Sequence, residues 1–117
     1  MAFFTVYILE AHASDVWQMS VNTRQKVVIA SPRTIEERSD VATACVRNLH
    51  LDMPALLDNF QNTTEHAYTG WPDRLYVIDR NGRVAYKSQA GPFGFRPQEV
   101  AAKLEEIVAH SELVAAR

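Results

Sequence analysis

The chain opens on a continuous apolar run, FFTVYIL at Phe3 to Leu9, short and rich in β formers, which predicts a strand covered on both faces. Apolar character then stops. Glu10 to Asp15 is mostly small and polar, and Val16 to Gln25 carries no period, so this stretch reads as a loop with at most one helical turn. Lys26 to Ala30 reads as a short extended piece. Beyond Ser31-Pro32 the period changes to that of a helix. Ile35, Ala42, Cys45, Val46 and Leu49 form one apolar stripe, with Glu36, Asp40 and Arg47 on the watery side, which predicts a helix from Ile35 to Leu49. Thr34 followed by Glu37 three residues later is a capping box for its start.

PALLD at Pro54 to Asp58 predicts a second strand, and Asn62 with Glu65 repeats the cap signature for a helix that stops at Gly70. The sharpest signal follows. Leu75 to Asp79 and Arg83 to Lys87 are β-rich segments flanking Asn81-Gly82, a strong hairpin turn signal, so two antiparallel strands are expected. Pro72 just before them marks an edge, a bulge or a cis turn, because proline cannot donate to a ladder. Gly91-Pro92-Phe93-Gly94-Phe95 is a turn stretch that bends around two aromatic side chains. Pro97 opens the last helix, with Val100, Leu104, Ile107 and Val108 as its buried stripe and Glu99 paired to Lys103. The order strand, helix, strand, helix, strand, strand, helix predicts one α/β domain over residues 1–117, a three-layer mixed sheet with helices on both faces, like the back part of a thioredoxin-like domain.

Composition narrows the chemistry more than the fold. The chain has 117 residues, 47% of them hydrophobic, enough for a core without metal or disulfide staples. Its 12 basic and 14 acidic residues are scattered, with no basic stripe, so nucleic acid is not expected as a partner. Cys45 is the single cysteine and lies on the apolar stripe, which excludes an intrachain disulfide and a Cys-x-x-Cys pair and fits a reducing, cytoplasmic setting. No run approaches the roughly 20 apolar residues of a membrane span, so no membrane partner is expected. His50, His66 and His110 share no ligand spacing, so no metal site is expected.

Candidate chemistry sits just past the first strand. Ligands in open α/β sheets gather at the carboxyl ends of strands, and alternation along an extended chain puts Glu10 and His12 on one side. A carboxylate there orients an imidazole or shares its proton; the same residues also cap turns, and spacing leaves both roles open. Trp71, Pro72, Asp73 and Arg74 form the second candidate, an edge that binds substrate, with Asp73-Arg74 either taking a polar substrate end or forming a rim ion pair.

Four segments, EAHASDVW at Glu10 to Trp17, PRTIEER at Pro32 to Arg38, AYTGWPDRLYVID at Ala67 to Asp79 and AYKSQAGPFGF at Ala85 to Phe95, together resemble the iodothyronine deiodinase family, in its order and from about Phe4 to Leu104. The resemblance implies a peroxiredoxin-type thioredoxin fold with a cis-proline turn at Trp71-Pro72. It implies reductive removal of iodine from aromatic rings by selenocysteine or cysteine, with no bound cofactor and an external thiol reductant. Glu10 and His12 match residues that support proton transfer and halide handling, and Asp73 matches an acidic position at the substrate cleft. Pro32 stands where the hormone enzymes carry a histidine, and Ala90 where they carry an arginine.

The family's nucleophile lies on a strand-loop-helix unit upstream of the segment matching Phe3 to Leu9, and none of the 117 residues matches it. In the family's sheet that strand is central, so an incomplete fold is expected, with unpaired strands open to a second copy of the chain. If that nucleophile is selenocysteine, its codon reads as a stop, and a restart at Met1 is the expectation that would explain the start point. Three functional expectations follow: part of a deiodinase-like oxidoreductase acting on a halogenated aromatic such as thyroxine and inactive as this chain, a non-catalytic binding or dimerisation module, or a peroxiredoxin-like thiol oxidoreductase fragment. Cys45 is a poor nucleophile for the last, since burial on an apolar stripe raises a thiol's pKa.

Overall fold

The computed structural model describes residues 1–11 and 30–116, so His12, Trp17, the expected loop over 16–25 and most of the expected extended piece over 26–30 lie outside the described residues. The chain is α/β, and it divides into two compact units, Met1–Trp71 and Pro72–Arg117.

In the first unit, β1 (Thr5–Tyr7) pairs in parallel with β2 (Ala55–Leu57), Thr5 opposite Ala55 and Tyr7 opposite Leu57. The connection between them runs through α1 (Ile35–Asn48), which packs against β2. The cap forms as its sequence predicts, with Glu37 N donating to Thr34 Oγ1 at 3.1 Å. The Glu37 carboxylate, however, accepts from Arg33 N at 2.7 Å, one residue before the cap. Ala42 is buried and Cys45 and Val46 half-buried, as the apolar stripe requires, but Ile35 and Leu49 are exposed. The most buried residue of the helix is Arg38, 2% exposed, four residues before Ala42 and on the same face.

α2 (Thr63–Tyr68) corrects another expectation. Asn62 stands at its start but makes no side-chain cap bond, because its backbone is left-handed, at φ 56°. The cap comes from Asp58 at the end of β2. Its Oδ1 accepts from Thr64 N at 3.0 Å and its Oδ2 from Glu65 N at 2.9 Å, while Asn59 Oδ1 accepts from Thr63 N. Burial alone would raise the Asp58 carboxyl, but the Glu65 and Thr64 donors, with Asn59 N, outweigh it and hold it below the usual carboxylate range. The helix stops at Thr69, also left-handed at φ 50°, one residue before the expected Gly70.

In the second unit, β3 (Tyr76–Ile78) and β4 (Val84–Lys87) form the predicted antiparallel hairpin, with a register shift between Val77 and Ile78. Its loop has three residues between Asp79 and Arg83, with Gly82 alone at positive φ, 76°, so Gly82 supplies the left-handed position and Asn81 does not. Asp79 Oδ1 accepts from Asn81 N and Arg83 N and fixes that loop. The pairing continues past the strands: Ser88 N donates to Leu75 O, Leu75 N donates to Ser88 Oγ, and Gly91 N donates to Asp73 O. α3 (Pro97–Ala115) packs on β3 and has Pro97 in its first turn as expected. Glu99 does not pair with Lys103. It takes the Tyr86 hydroxyl at 2.8 Å and Arg96 at 3.2 Å, while Lys103 reaches Glu106 at 2.9 Å.

Among the described residues the strands therefore form two sheets of two strands each, not one continuous sheet. Each strand has one hydrogen-bonded neighbour, and the run at Phe3 to Leu9 is not covered on both faces: Phe3, Phe4, Val6 and Leu9 are all exposed. The cis peptide bond among the described residues is Gly91–Pro92, not Trp71–Pro72. The tight proline turn thus lies where Gly91, lacking a Cβ, lets the backbone close on Asp73. No described helix is long and apolar enough to cross a membrane.

Candidate functional site

Glu10 follows β1 by three residues, at the carboxyl end of the parallel pair, where the strand order predicts ligand chemistry. Its side chain is 8% exposed, an unusual burial for a carboxylate, and the groups facing it explain why it is tolerated. Arg38 Nε lies 3.7 Å from Glu10 Oε1, and the Tyr7 hydroxyl donates to the Glu10 carboxylate. Tyr7 lies within β1 itself, so strand pairing fixes one end of that hydrogen bond. Burial pushes the Tyr7 phenol well above its ordinary value, and the Glu10 charge and hydrogen bond push it further; Arg38 opposes them. Tyr7 is a protonated donor at any physiological pH.

Arg38 is itself tied down. Its Nη1 donates to Asn59 O at 2.8 Å and Asn62 Oδ1 at 3.0 Å, and its guanidinium lies 5.0 Å from the centre of the Phe60 ring. The left-handed backbone at Asn62 accompanies a loop whose carbonyl and amide oxygens turn toward the arginine. Sequence reasoning missed both Tyr7 and Arg38. An arginine inside the stripe set by Ile35, Ala42 and Cys45 was the available signal, since a charge on an apolar face needs a partner. Cys45 lies near Tyr7, and burial raises its thiol above the ordinary value.

Of the second candidate group, Trp71 closes the first unit, 40% exposed, with its N donating to Glu65 Oε1 at 3.4 Å. Pro72, Asp73 and Arg74 open the second unit and are half-buried. The Asp73 carboxylate lies directly against Gly91, where any Cβ would collide with it, and its Oδ1 is out of solvent without a hydrogen-bond partner among the described residues. The turn that follows is held by Gly94 N donating to Ala90 O, and it presents Phe93 almost entirely to solvent, 92% exposed. Among the described residues no group of three or more His, Cys, Asp or Glu side chains is placed to hold a metal ion.

A family model described as iodothyronine deiodinase matches residues 1–108. The chain belongs to the iodothyronine deiodinase family. Among its relatives, the type I iodothyronine deiodinase of Xenopus laevis is 33% identical over 104 residues, covering 89% of this chain and 39% of that protein. The thyroxine 5-deiodinases of Rattus norvegicus and Homo sapiens are 36% and 35% identical over 106 residues, covering 88% of this chain and 32% of each of theirs. This deiodinase-family chain thus spans less than two fifths of the length of these relatives. The match includes both candidate groups, Glu10 in the first unit and Asp73 in the second.

Proposed function

We propose that this chain is part of a thioredoxin-like, deiodinase-type oxidoreductase domain that removes iodide reductively from an aromatic ring, a thyroxine-like compound being the substrate class. The reading rests on one observation above the others, the family match over residues 1–108. In this reading a selenocysteine or cysteine outside these 117 residues attacks the ring iodine, so that a Se–I or S–I bond forms as the C–I bond breaks and its electron pair stays on carbon; an external dithiol then reduces the Se–I or S–I bond, releasing iodide and ending as a disulfide. Glu10 and His12 manage the proton that takes the place of iodine on the ring. Trp71, Pro72, Asp73 and Arg74 line the substrate.

The geometry of Glu10 supports its part. A buried carboxylate that accepts from Tyr7, faces a fixed guanidinium and keeps Oε1 free of hydrogen bonds among the described residues is oriented and has a lone pair to offer. Cys45 is poorly suited as nucleophile because burial raises its thiol, which counts against the peroxiredoxin-like thiol reading. The test is to read the coding sequence upstream of Met1 through any in-frame UGA codon and assay the encoded product for iodide release from thyroxine with dithiothreitol. Release that disappears in Glu10→Gln supports the reading. A product with selenocysteine or cysteine in place that releases no iodide from any iodinated phenol sinks it.

A second reading, a binding module that pairs with another copy of itself, draws on the exposed Val6 and Leu56 of the β1–β2 sheet, on Phe3 and Phe4 just before it, and on edges that no described strand covers. Sedimentation of the chain decides it: a concentration-dependent dimer that Val6→Lys abolishes favours pairing, and a monomer at all concentrations refutes it.

A further inference from the structure

Glu10 and Arg38 are both almost fully buried, yet they do not form a saturated salt bridge. Arg38 Nε and Glu10 Oε1 are 3.7 Å apart, and neither atom makes a hydrogen bond among the described residues. The guanidinium is anchored elsewhere, through Nη1 to Asn59 O and Asn62 Oδ1 and through its face to Phe60. An arginine free to swing would close on the carboxylate with two parallel bonds, the preferred geometry of such pairs. The loop after β2 holds it back. A carboxylate clamped by two bonds is a poor proton acceptor, whereas one that faces a guanidinium at 3.7 Å keeps a lone pair available.

We propose that Arg38 is a positioning residue for Glu10: anchored to Asn59 and Asn62, its guanidinium faces and aims the carboxylate while leaving Oε1 open to exchange a proton. This rests on the reading that Glu10 handles a proton. Arg38 touches no reacting atom in this role; it acts through Glu10 and the loop that restrains it. The described groups that face Glu10 are Tyr7 from β1 and Arg38 from α1, with the Cys45 thiol beyond Tyr7. Tyr7 stays protonated throughout the working range and Cys45 is pushed upward by burial, so Arg38 is the charged partner that the Glu10 carboxylate faces.

The experiment needs no turnover. The side-chain carboxyl resonance of Glu10 is followed by carbon NMR as a function of pH in the chain itself, assigned by its disappearance in Glu10→Gln. Arg38→Met should raise the pH of protonation by about one unit or more, a tenfold change in proton affinity. Asn62→Gly keeps the left-handed backbone but removes one anchor, and it should move the midpoint without removing the charge. Circular dichroism establishes which variants fold. If Arg38→Met does not fold, Asn62→Gly decides alone. A midpoint unchanged in every folded variant overturns the proposal, even where the parent enzyme releases iodide. A midpoint that moves upholds it, even where no iodide is released.

Discussion

The carboxylate of Asp73 occupies the space that a Cβ on Gly91 would need, while Gly91 N donates to the Asp73 carbonyl at 3.0 Å. Backbone and side chain of one residue thus close on the same glycine, and the open end of the hairpin is fixed to the Gly-Pro-Phe-Gly turn. The consequence is steric. Gly91→Ala must push aside the Asp73 carboxylate, the free end of a half-buried side chain, and should destabilise the protein by about 1 kcal/mol, the low end of what overpacking costs, as read by urea denaturation. A loss under about 0.5 kcal/mol would mean that the carboxylate can leave the glycine freely.

Asp58 should control the acid stability of the first unit. Its folded pKa is depressed by the Glu65, Thr64 and Asn59 donors that outweigh burial, so its stabilisation is fully present above the unfolded value, about 3.9, and is lost as pH falls through the folded value. Asp58→Ala should cost about 2 kcal/mol at neutral pH and should flatten the fall in stability on the acid side. Equilibrium unfolding at pH 7 and at successively lower pH checks both, and an acid limb identical to the parent's would refute the assignment.

Thr69 is β-branched and left-handed, at φ 50°, a conformation that costs an L residue about 1–2 kcal/mol. Thr69→Gly relieves it and should leave the protein more stable by a few tenths to about 1 kcal/mol, because glycine's unfolded-state entropy offsets part of the gain. Thermal denaturation reads the sign. A lower melting temperature would show that the hydroxyl bond from Thr69 to Tyr68 O outweighs the strain.

Cys45 should react slowly. Burial raises its thiol, so at neutral pH little thiolate is present and access is restricted. Alkylation by iodoacetamide should be at least about tenfold slower in the native protein than in urea. Equal rates would reopen the case for Cys45 as a working thiol.

Local signals were the legible ones. Thr34 and Glu37 lie three residues apart, and the Thr34 half of the capping box they predict is present; Pro97 in the first turn of α3 and the hairpin around Gly82 are likewise decided within a few residues. What the sequence concealed depends on partners far along the chain. Arg38 stands on the apolar stripe with no partner near it in sequence, because Asn59, Asn62 and Glu10 lie 21, 24 and 28 positions away. Asp58 reads as the last residue of a strand, and only the folding back of residues 63–65 over it reveals a cap. The place of Glu10 after a strand marks it as a candidate, but its burial, and Tyr7 as its donor, emerge only from packing.

The two strand pairs also differ in how far the chain must travel to make them. In the hairpin, Ile78 meets Val84 across a short loop, while in the parallel pair Thr5 must find Ala55, fifty positions later. Hairpins close in roughly 1–10 μs, whereas pairings between distant segments wait on loop closure and on the helix that spans them. The second unit should therefore acquire protected amides early in refolding and the first unit late. The late-forming half is the one that carries Glu10 and Arg38, so the proton-handling cluster is among the last parts of the molecule to assemble.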